Sequence, residues 1–416
     1  MLDRRHVTAL LGATLGSTLS LPARAGEDAP AFYSGVGREL SWYAFDSRTG
    51  ALTRGGSVTL PANVQYAWPD PARRFLYVTA SFNKVGAVVA DAGGHCVRAF
   101  QVGADGALSA QGPALPLKHR PIHNTVSPDG RFLVIAYNVP SGITVHPINA
   151  DGTVGAEIPQ SPLDTGIYAH QVRLTPDGKT LALVTRGNDA VPGHAEDPGA
   201  LKIFRFADGK LSNLQSLAPH GQGLGFGPRH LDFGGTHVFV SLERENSLCV
   251  YGLNPDGSFS AEPLFLKSAL TDPDAKSKYP GQTSGPVHVH PSGRFVYQTN
   301  RGSMTNEVGG KAVWNGGLND IAVWRIDPAS GNPVRIQNID AHGFEIRTFS
   351  ITPDGKWLVA ASQLGLDVAE GSAVKHVSAG LAVYRIQADG KLDFARKLDV
   401  DTSAGTQFWS GFLTMT

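Results

Sequence analysis

The chemistry-bearing residues of this 416-residue chain are dispersed, and what groups them is their place beside apolar runs. His123, His170, Arg229 with His230, and Arg347 stand where such runs begin; Asn138, Arg186, Glu243 and Arg301 stand where they end. Arginine keeps its proton under ordinary conditions, so it can hold a carboxylate or phosphate and stabilise a developing oxyanion. A histidine or glutamate beside it can serve as general base toward a water or a carbon-bound proton. A pocket of this make-up suits acid–base chemistry on an anionic substrate. Nucleophilic catalysis finds no support, because there is no G-x-S-x-G elbow and no serine or cysteine in a recognisable nucleophile setting. No metal site is assigned: H-E-x-x-H spacing is absent, and His288-x-His290 only places two imidazoles on one strand face. No cofactor is implied, since neither a haem-attachment sequence nor a repeated tryptophan motif occurs.

These residues meet only if a repeating fold brings them to one axis. One pattern is an apolar strand, a Pro-Asp-Gly-like turn and a second apolar strand, as in HNTVSPDGRFLVIAYN from His123 and HQVRLTPDGKTLALVTR from His170. A second is an alternating strand, an Asp-Gly-like turn and another strand, as in LKIFRFADGKLSN and LAVYRIQADGKLDFAR. Together they repeat every 50 to 60 residues or so, roughly the spacing of propeller blades. Alternation around tight turns makes both patterns β-hairpins, and two hairpins make a four-stranded blade. The second pattern appears seven times and the first only six; AFYSGVG near Ala31 and FWSGFLTMT at the C-terminus supply the missing strands. The expectation is an all-β, seven-bladed β-propeller of four-stranded blades over residues 26–416. One domain closes by pairing N- and C-terminal strands, which leaves no open sheet edge.

The Pro-Asp-Gly turns belong to one face of such a ring. The opposite face carries four long loops, 81–95, 187–199, 302–319 and 365–379, mostly Gly-rich and read as irregular. The residues named above point to the axis at that face. Arg229 and Glu243, at neighbouring ends of one hairpin within 225–246, should sit on the same side. Singly, each has a structural explanation. Several cations and a carboxylate converging from separate repeats are costly for structure alone.

Lys plus Arg and Asp plus Glu number 36 each, so no basic field exists to attract nucleic acid. Cys96 and Cys249 stand in separate repeats and are not expected to pair. Residues 1–25 read as an export signal of the twin-arginine type: Arg4-Arg5, an apolar stretch from Val7 to Leu21, and Ala23-Arg24-Ala25 as the cleavage site. The mature chain is expected to begin near Gly26, to be periplasmic or secreted, to have no membrane span and to be a monomer.

With GPRHLDF followed by VSLERENS, HQVRLTPDGKTL before and VHVHPSGRFVYQTNR after, the chain resembles the seven-bladed lactonases. That family includes bacterial 6-phosphogluconolactonase and the fungal 3-carboxymuconate lactonizing enzyme, and the resemblance runs through the whole mature chain. It implies that His170 and Glu243 are the acid–base pair and that Arg229 and Arg301 bind the substrate's anionic groups. Arg347 matches the arginine of a P-R-x-F segment, with Ile346 in place of the proline, and His123 matches a blade-three histidine with an altered left flank. Those two, with His230 and Asn138, are assigned to substrate binding. The expected reaction is hydrolysis of a small acidic or sugar-derived lactone, or the reverse cyclisation. On this reading Arg229→Ala and Glu243→Gln abolish turnover while Tm barely moves. The rival is a non-catalytic scaffold binding a protein or polymer on the loop-rich face. It requires a flat surface with exposed aromatics, for which Trp314, Tyr168, Phe226 and Phe344 are available, rather than a narrow charged well.

Overall fold

The structure, a computed structural model, describes residues 30–82, 93–219, 222–371 and 373–414. The expected export signal and most of the 81–95 loop lie outside these residues. Alternating and apolar runs form strands as the repeats dictate, and seven antiparallel sheets follow one another along the chain. From the axis outward, blade two is Asn63–Pro69, Phe75–Ser81, Cys96–Val102 and Leu108–Pro116. Blade four is Ala169–Leu174, Thr180–Thr185, Ala200–Ala207 and Lys210–Leu217, and blade five Pro228–Gly234, His237–Leu242, Ser247–Gly252 and Phe265–Ser268. Blade six begins with Thr283–Val289 and Phe295–Arg301, blade seven with Phe344–Ile351 and Trp357–Leu364. Second strands such as Phe75–Ser81, Phe132–Asn138 and Thr180–Thr185 are buried at every residue. Outer strands such as Ala51–Thr59 are largely uncovered.

Ring closure follows the expected route. The C-terminal strand Gln407–Thr414 is the innermost strand of blade one and pairs antiparallel with Pro30–Val36, from Pro30↔Thr414 to Val36↔Gln407. An apolar cluster of Phe32, Tyr43, Phe45, Trp357 and Val383 joins blade one to blade seven. Neighbouring blades also lock through their outer turns. The turn glycines Gly50 (φ +71°) and Gly209 (φ +77°) lie against Trp357 and Phe132 of the preceding blade, where a Cβ would come within 2.6–2.7 Å of the ring. Only glycine fits that approach and that backbone.

Two expectations are corrected. Blade three has three strands, Pro121–Val126, Phe132–Asn138 and Ser141–Pro147, and its fourth shrinks to the bridge Ile148↔Val154. Pro147, Pro159 and Pro162 have no N–H to donate, and this interrupts the outer ladder. The loops 302–319 and 365–379 are not irregular. They form the hairpins Thr305–Val308/Lys311–Trp314 and Leu366–Glu370/Ala373–Val377, joined in parallel at Val313↔Asp367 into an eighth sheet. Gly309-Gly310, both at positive φ, make a two-residue hairpin turn. Cys96 and Cys249 are both free and buried.

Removing residues 407–414 deletes the innermost strand of blade one together with buried Phe408, Trp409 and Leu413. At about 1.5–3 kcal/mol per large apolar side chain, before the exposed strand edges are counted, this is comparable to half or more of a typical domain's stability. The truncated chain should lose its cooperative thermal transition, read by circular dichroism; a wild-type Tm would refute the closure argument.

Candidate active site

A β-bulge recurs in every innermost strand at the same height. The ladder to the next strand slips at Gln65, Ile122, His170, Arg229, Gly285-Pro286, Arg347 and Phe408 in blades two to seven and one respectively. A bulge re-aims one side chain out of the pleat. Six of these residues line either an axial cavity of about 720 Å³ or a small void beneath it with room for about one water. In blade six the bulge is glycine and proline, and Arg301, from the second strand, donates from Nε to the Ser284 carbonyl beside it (3.3 Å).

A second tier lies two residues before each bulge and directly across the ladder from it. There Tyr168 faces Arg186, Gly227 faces Glu243, Thr283 faces Arg301, and Glu345 sits across from Gln363. Tyr168 and Glu345 have positive φ (57° and 55°), a conformation that costs side-chain-bearing residues and concentrates at functional sites. At the mouth, the 187–199 loop is pinned by Arg244, which donates to Asp189 (2.9 Å) and Glu196 (2.8 Å). Val191 and His194 of that loop line the cavity.

Glu243 is the centre of the charge network. Arg301 Nη2 donates to its Oε1 (2.6 Å), Arg186 Nε to its Oε2 (2.9 Å), and Arg229 Nε stands 3.5 Å from Oε2. Arg301 also pairs with Glu345, and Arg186 with Asp189 (2.7 Å). Burial alone would raise the Glu243 carboxyl, but Arg301, Arg186 and Arg229 outweigh it and hold it down to about 2. Burial pushes His170 the other way, well below the usual 6.5, reinforced by Arg229 and His230, so its imidazole is neutral at neutral pH. Its Nδ1 is buried without a partner among the described residues. Five arginines and three carboxylates line the cavity, an excess of two positive charges.

The structure therefore brings His170, Arg229, Glu243, Arg301 and Arg347 to one cavity. His230 lies beneath them, its ring centre 5.2 Å from that of His170, and lines only the small void. His123 lies deeper, its ring centre 3.8 Å from that of Tyr66 with the planes tilted by 34°, and Asn138 is buried; neither lines the cavity. The reason for His123 is a one-residue register: the blade-three equivalent of His170 is Ile122, and His123 is the equivalent of His230. Residues not singled out from sequence are Gln65, Arg120, Glu345, Gln363 and Phe408. Aligning the blades on the bulge finds Gln65, Arg120, Glu345 and Phe408, but the bulge is set by strand register, which the sequence does not mark. His288 and His290 have separate partners: His288 Nδ1 faces Asp232 (3.6 Å), while His290 bonds Ser292 and the Gly355 carbonyl. Among the described residues no three metal-ligating side chains gather.

An arginine-rich cavity of about 720 Å³ on a propeller axis has the form of an enzyme site, and of the four candidate platform aromatics Phe226 and Phe344 are buried. The chain belongs to the lactonase family of seven-bladed β-propellers, whose family model matches residues 30–370, which places it among hydrolases. It is 29% identical to a 6-phosphogluconolactonase of Yersinia pestis over 272 residues, 64% of this chain and 71% of that one. It is 25% identical to the Erwinia tasmaniensis 6-phosphogluconolactonase over 364 residues, 84% and 93% of the two chains. Its fold matches a periplasmic gluconolactonase of Pseudomonas aeruginosa with a TM-score of 0.67 at 20% identity, over 93% of this chain and 99% of that one.

The network revises the expectation that Glu243→Gln leaves Tm unmoved. Removing the charge leaves buried arginines facing one another, at a cost of about 3–5 kcal/mol. The folded pKa of Glu243 lies below its ordinary 4.5, so its stabilisation is complete above about 4.5 and is lost as pH falls toward about 2. Asp232, also held to about 2, shares that window. Thermal melts of Glu243→Gln should show a lower Tm at neutral pH and a shallower acid decline than wild type. Superimposable curves would show that the ion pairs carry no net stability.

Proposed function

We propose that the protein hydrolyses a small acidic or sugar-derived lactone in the axial well, with His170 as general base and Arg229 stabilising the oxyanion. The observation that carries this reading is a neutral, partly unpartnered imidazole set against the arginines on the cavity wall. Water attacks the lactone carbonyl while His170 accepts its proton. The negative charge that develops on the carbonyl oxygen lies toward Arg229, and collapse breaks the ring C–O bond. The proton on His170 then passes to the departing alkoxide. Glu243 is a poor base for this step, because a carboxylate whose pKa is held to about 2 has little affinity for a proton at neutral pH. Its role is to hold Arg186, Arg229 and Arg301 in place. This departs from the acid–base pair that the family resemblance implies. The export signal expected over residues 1–25, together with the compartment named for the Pseudomonas protein of like fold, supports a periplasmic location and a lactone formed outside the cytoplasm.

A proton-release assay over a panel of lactones, phosphorylated and not, tests the reading. Wild type should release protons from at least one, and His170→Gln should lower kcat by about 100-fold or more. Because only neutral His170 accepts a proton, kcat/KM should fall on the acid side with a midpoint below 6.5. A midpoint above 6.5 would remove His170 from the role of base. No release across the panel would return the scaffold reading.

A further inference from the structure

The arginines of the cavity are not equivalent. Arg186, Arg229 and Arg301 share Glu243, and two of them also hold Asp189 or Glu345, so every cavity carboxylate is taken. Arg120 and Arg347 have no carboxylate partner among the described residues, although each is more than nine-tenths buried. Arg120 Nε and Nη2 donate to the Gln65 Oε1 (3.2 and 2.9 Å), a neutral amide that orients the guanidinium without cancelling its charge. Gln65 is itself fixed, since its Nε2 donates to the carbonyls of Asn63 and Val64. The Arg347 side chain makes no hydrogen bond or ion pair with the described residues; its guanidinium carbon lies 3.9 Å from the Phe408 ring centre, and that of Arg120 lies 6.0 Å from the same point. Gln65, Arg120, Arg347 and Phe408 come from blades two, three, seven and one, the arc of the ring facing Glu243 on blade five. Two buried cations beside one aromatic ring, oriented but left uncompensated, form a site short of an anion.

We propose that Arg120 and Arg347 clamp a carboxylate or phosphate carried by the lactone away from its reacting ester, which makes anionic lactones the preferred substrates. This rests on the lactonase reading and moves the anion from Arg229 and Arg301, which Glu243 occupies, to the opposite wall. Arg120 is the specificity residue, and Gln65 positions it.

Binding and turnover arms test this separately. Inorganic phosphate and malonate, which carry the two anion chemistries without a lactone ring, should each be titrated into wild type, Arg120→Gln, Arg347→Gln and Arg120→Lys by calorimetry. At least one anion should bind wild type, about 10- to 100-fold more weakly to the two glutamine variants, and measurably to Arg120→Lys, with the stronger binder identifying the group. In turnover, kcat/KM for a phosphate- or carboxylate-bearing lactone relative to a neutral one should drop by a similar factor in Arg120→Gln. Failure of either anion to bind wild type, or equal binding by all four proteins, overturns the clamp. If the glutamine variants do not fold, the wild-type titration and Arg120→Lys still decide. Absence of turnover on any lactone refutes the lactonase reading, and the binding arm then judges the clamp alone.

Discussion

Everything at the active face depends on seven innermost strands reaching the axis at one height and each bulging there. A strand packed between two blades has no free face on which to display a functional side chain. The bulge supplies one: the extra residue leaves the pleat and turns toward the only space not filled by a neighbouring blade. Gln65, Ile122, His170, Arg229, Arg347 and Phe408 are thereby gathered from sequence positions as far apart as 65 and 408. The closing strand Gln407–Thr414 thus has two roles. It seals the ring against edge pairing, and its bulge places Phe408 beneath Arg347.

Gathering arginines in this way creates an electrostatic difficulty that Glu243 relieves on one side only. Burial together with Arg301 lowers Arg229 to about 9, and burial together with Arg229 depresses Arg347. Glu243 holds Arg186 and Arg301 in close ion pairs and stands 3.5 Å from Arg229, where its charge opposes the lowering without cancelling it. On the facing arc only a neutral glutamine and an aromatic ring are offered. The well is therefore polarised across its width, one wall internally neutral and the other lacking negative charge. A substrate with one uncharged reacting end and one anionic end would find both walls complementary.

Much of this is legible in the sequence. The Pro-Asp-Gly and Asp-Gly turns count the blades, and the strand left over at each terminus gives the closure, because turn chemistry and alternation are local properties. His170, Arg229, Glu243, Arg301 and Arg347 follow from their place at strand ends. What failed was register. Two histidines at apparently matching starts, His123 and His170, differ by one residue relative to the bulge, and one residue moves a side chain from the cavity to the layer below. Arg120 was hidden for the same reason, since its significance lies in being two residues before a bulge that the sequence does not mark. The Gly309-Gly310 hairpin was legible in principle, but its pairing with Leu366–Glu370 is a contact between loops of different blades, which no local signal encodes. The missing fourth strand of blade three was marked by Pro147, Pro159 and Pro162, whose lack of N–H groups outweighs the alternation around them.

A repeat protein compares itself with itself, and this separates structural positions from chemical ones without any second sequence. The outer-turn glycine recurs from blade to blade, and in five of them, at Gly50, Gly152, Gly209, Gly331 and Gly390, it fits beneath a ring of the blade before it. The bulge position does the opposite: glutamine, isoleucine, histidine, arginine, glycine with proline, arginine and phenylalanine occupy one geometric place in seven blades. If that place served packing alone, seven near-identical environments would favour similar residues. Its diversity shows that the blades impose no common side chain there and that each residue answers to what stands across the axis. Aligning blades on the bulge and asking where they disagree therefore points at the well. The same comparison two residues earlier, at Arg120, Tyr168, Gly227, Thr283 and Glu345, finds a second ring of disagreement, from which Arg120, Tyr168 and Glu345 line the cavity.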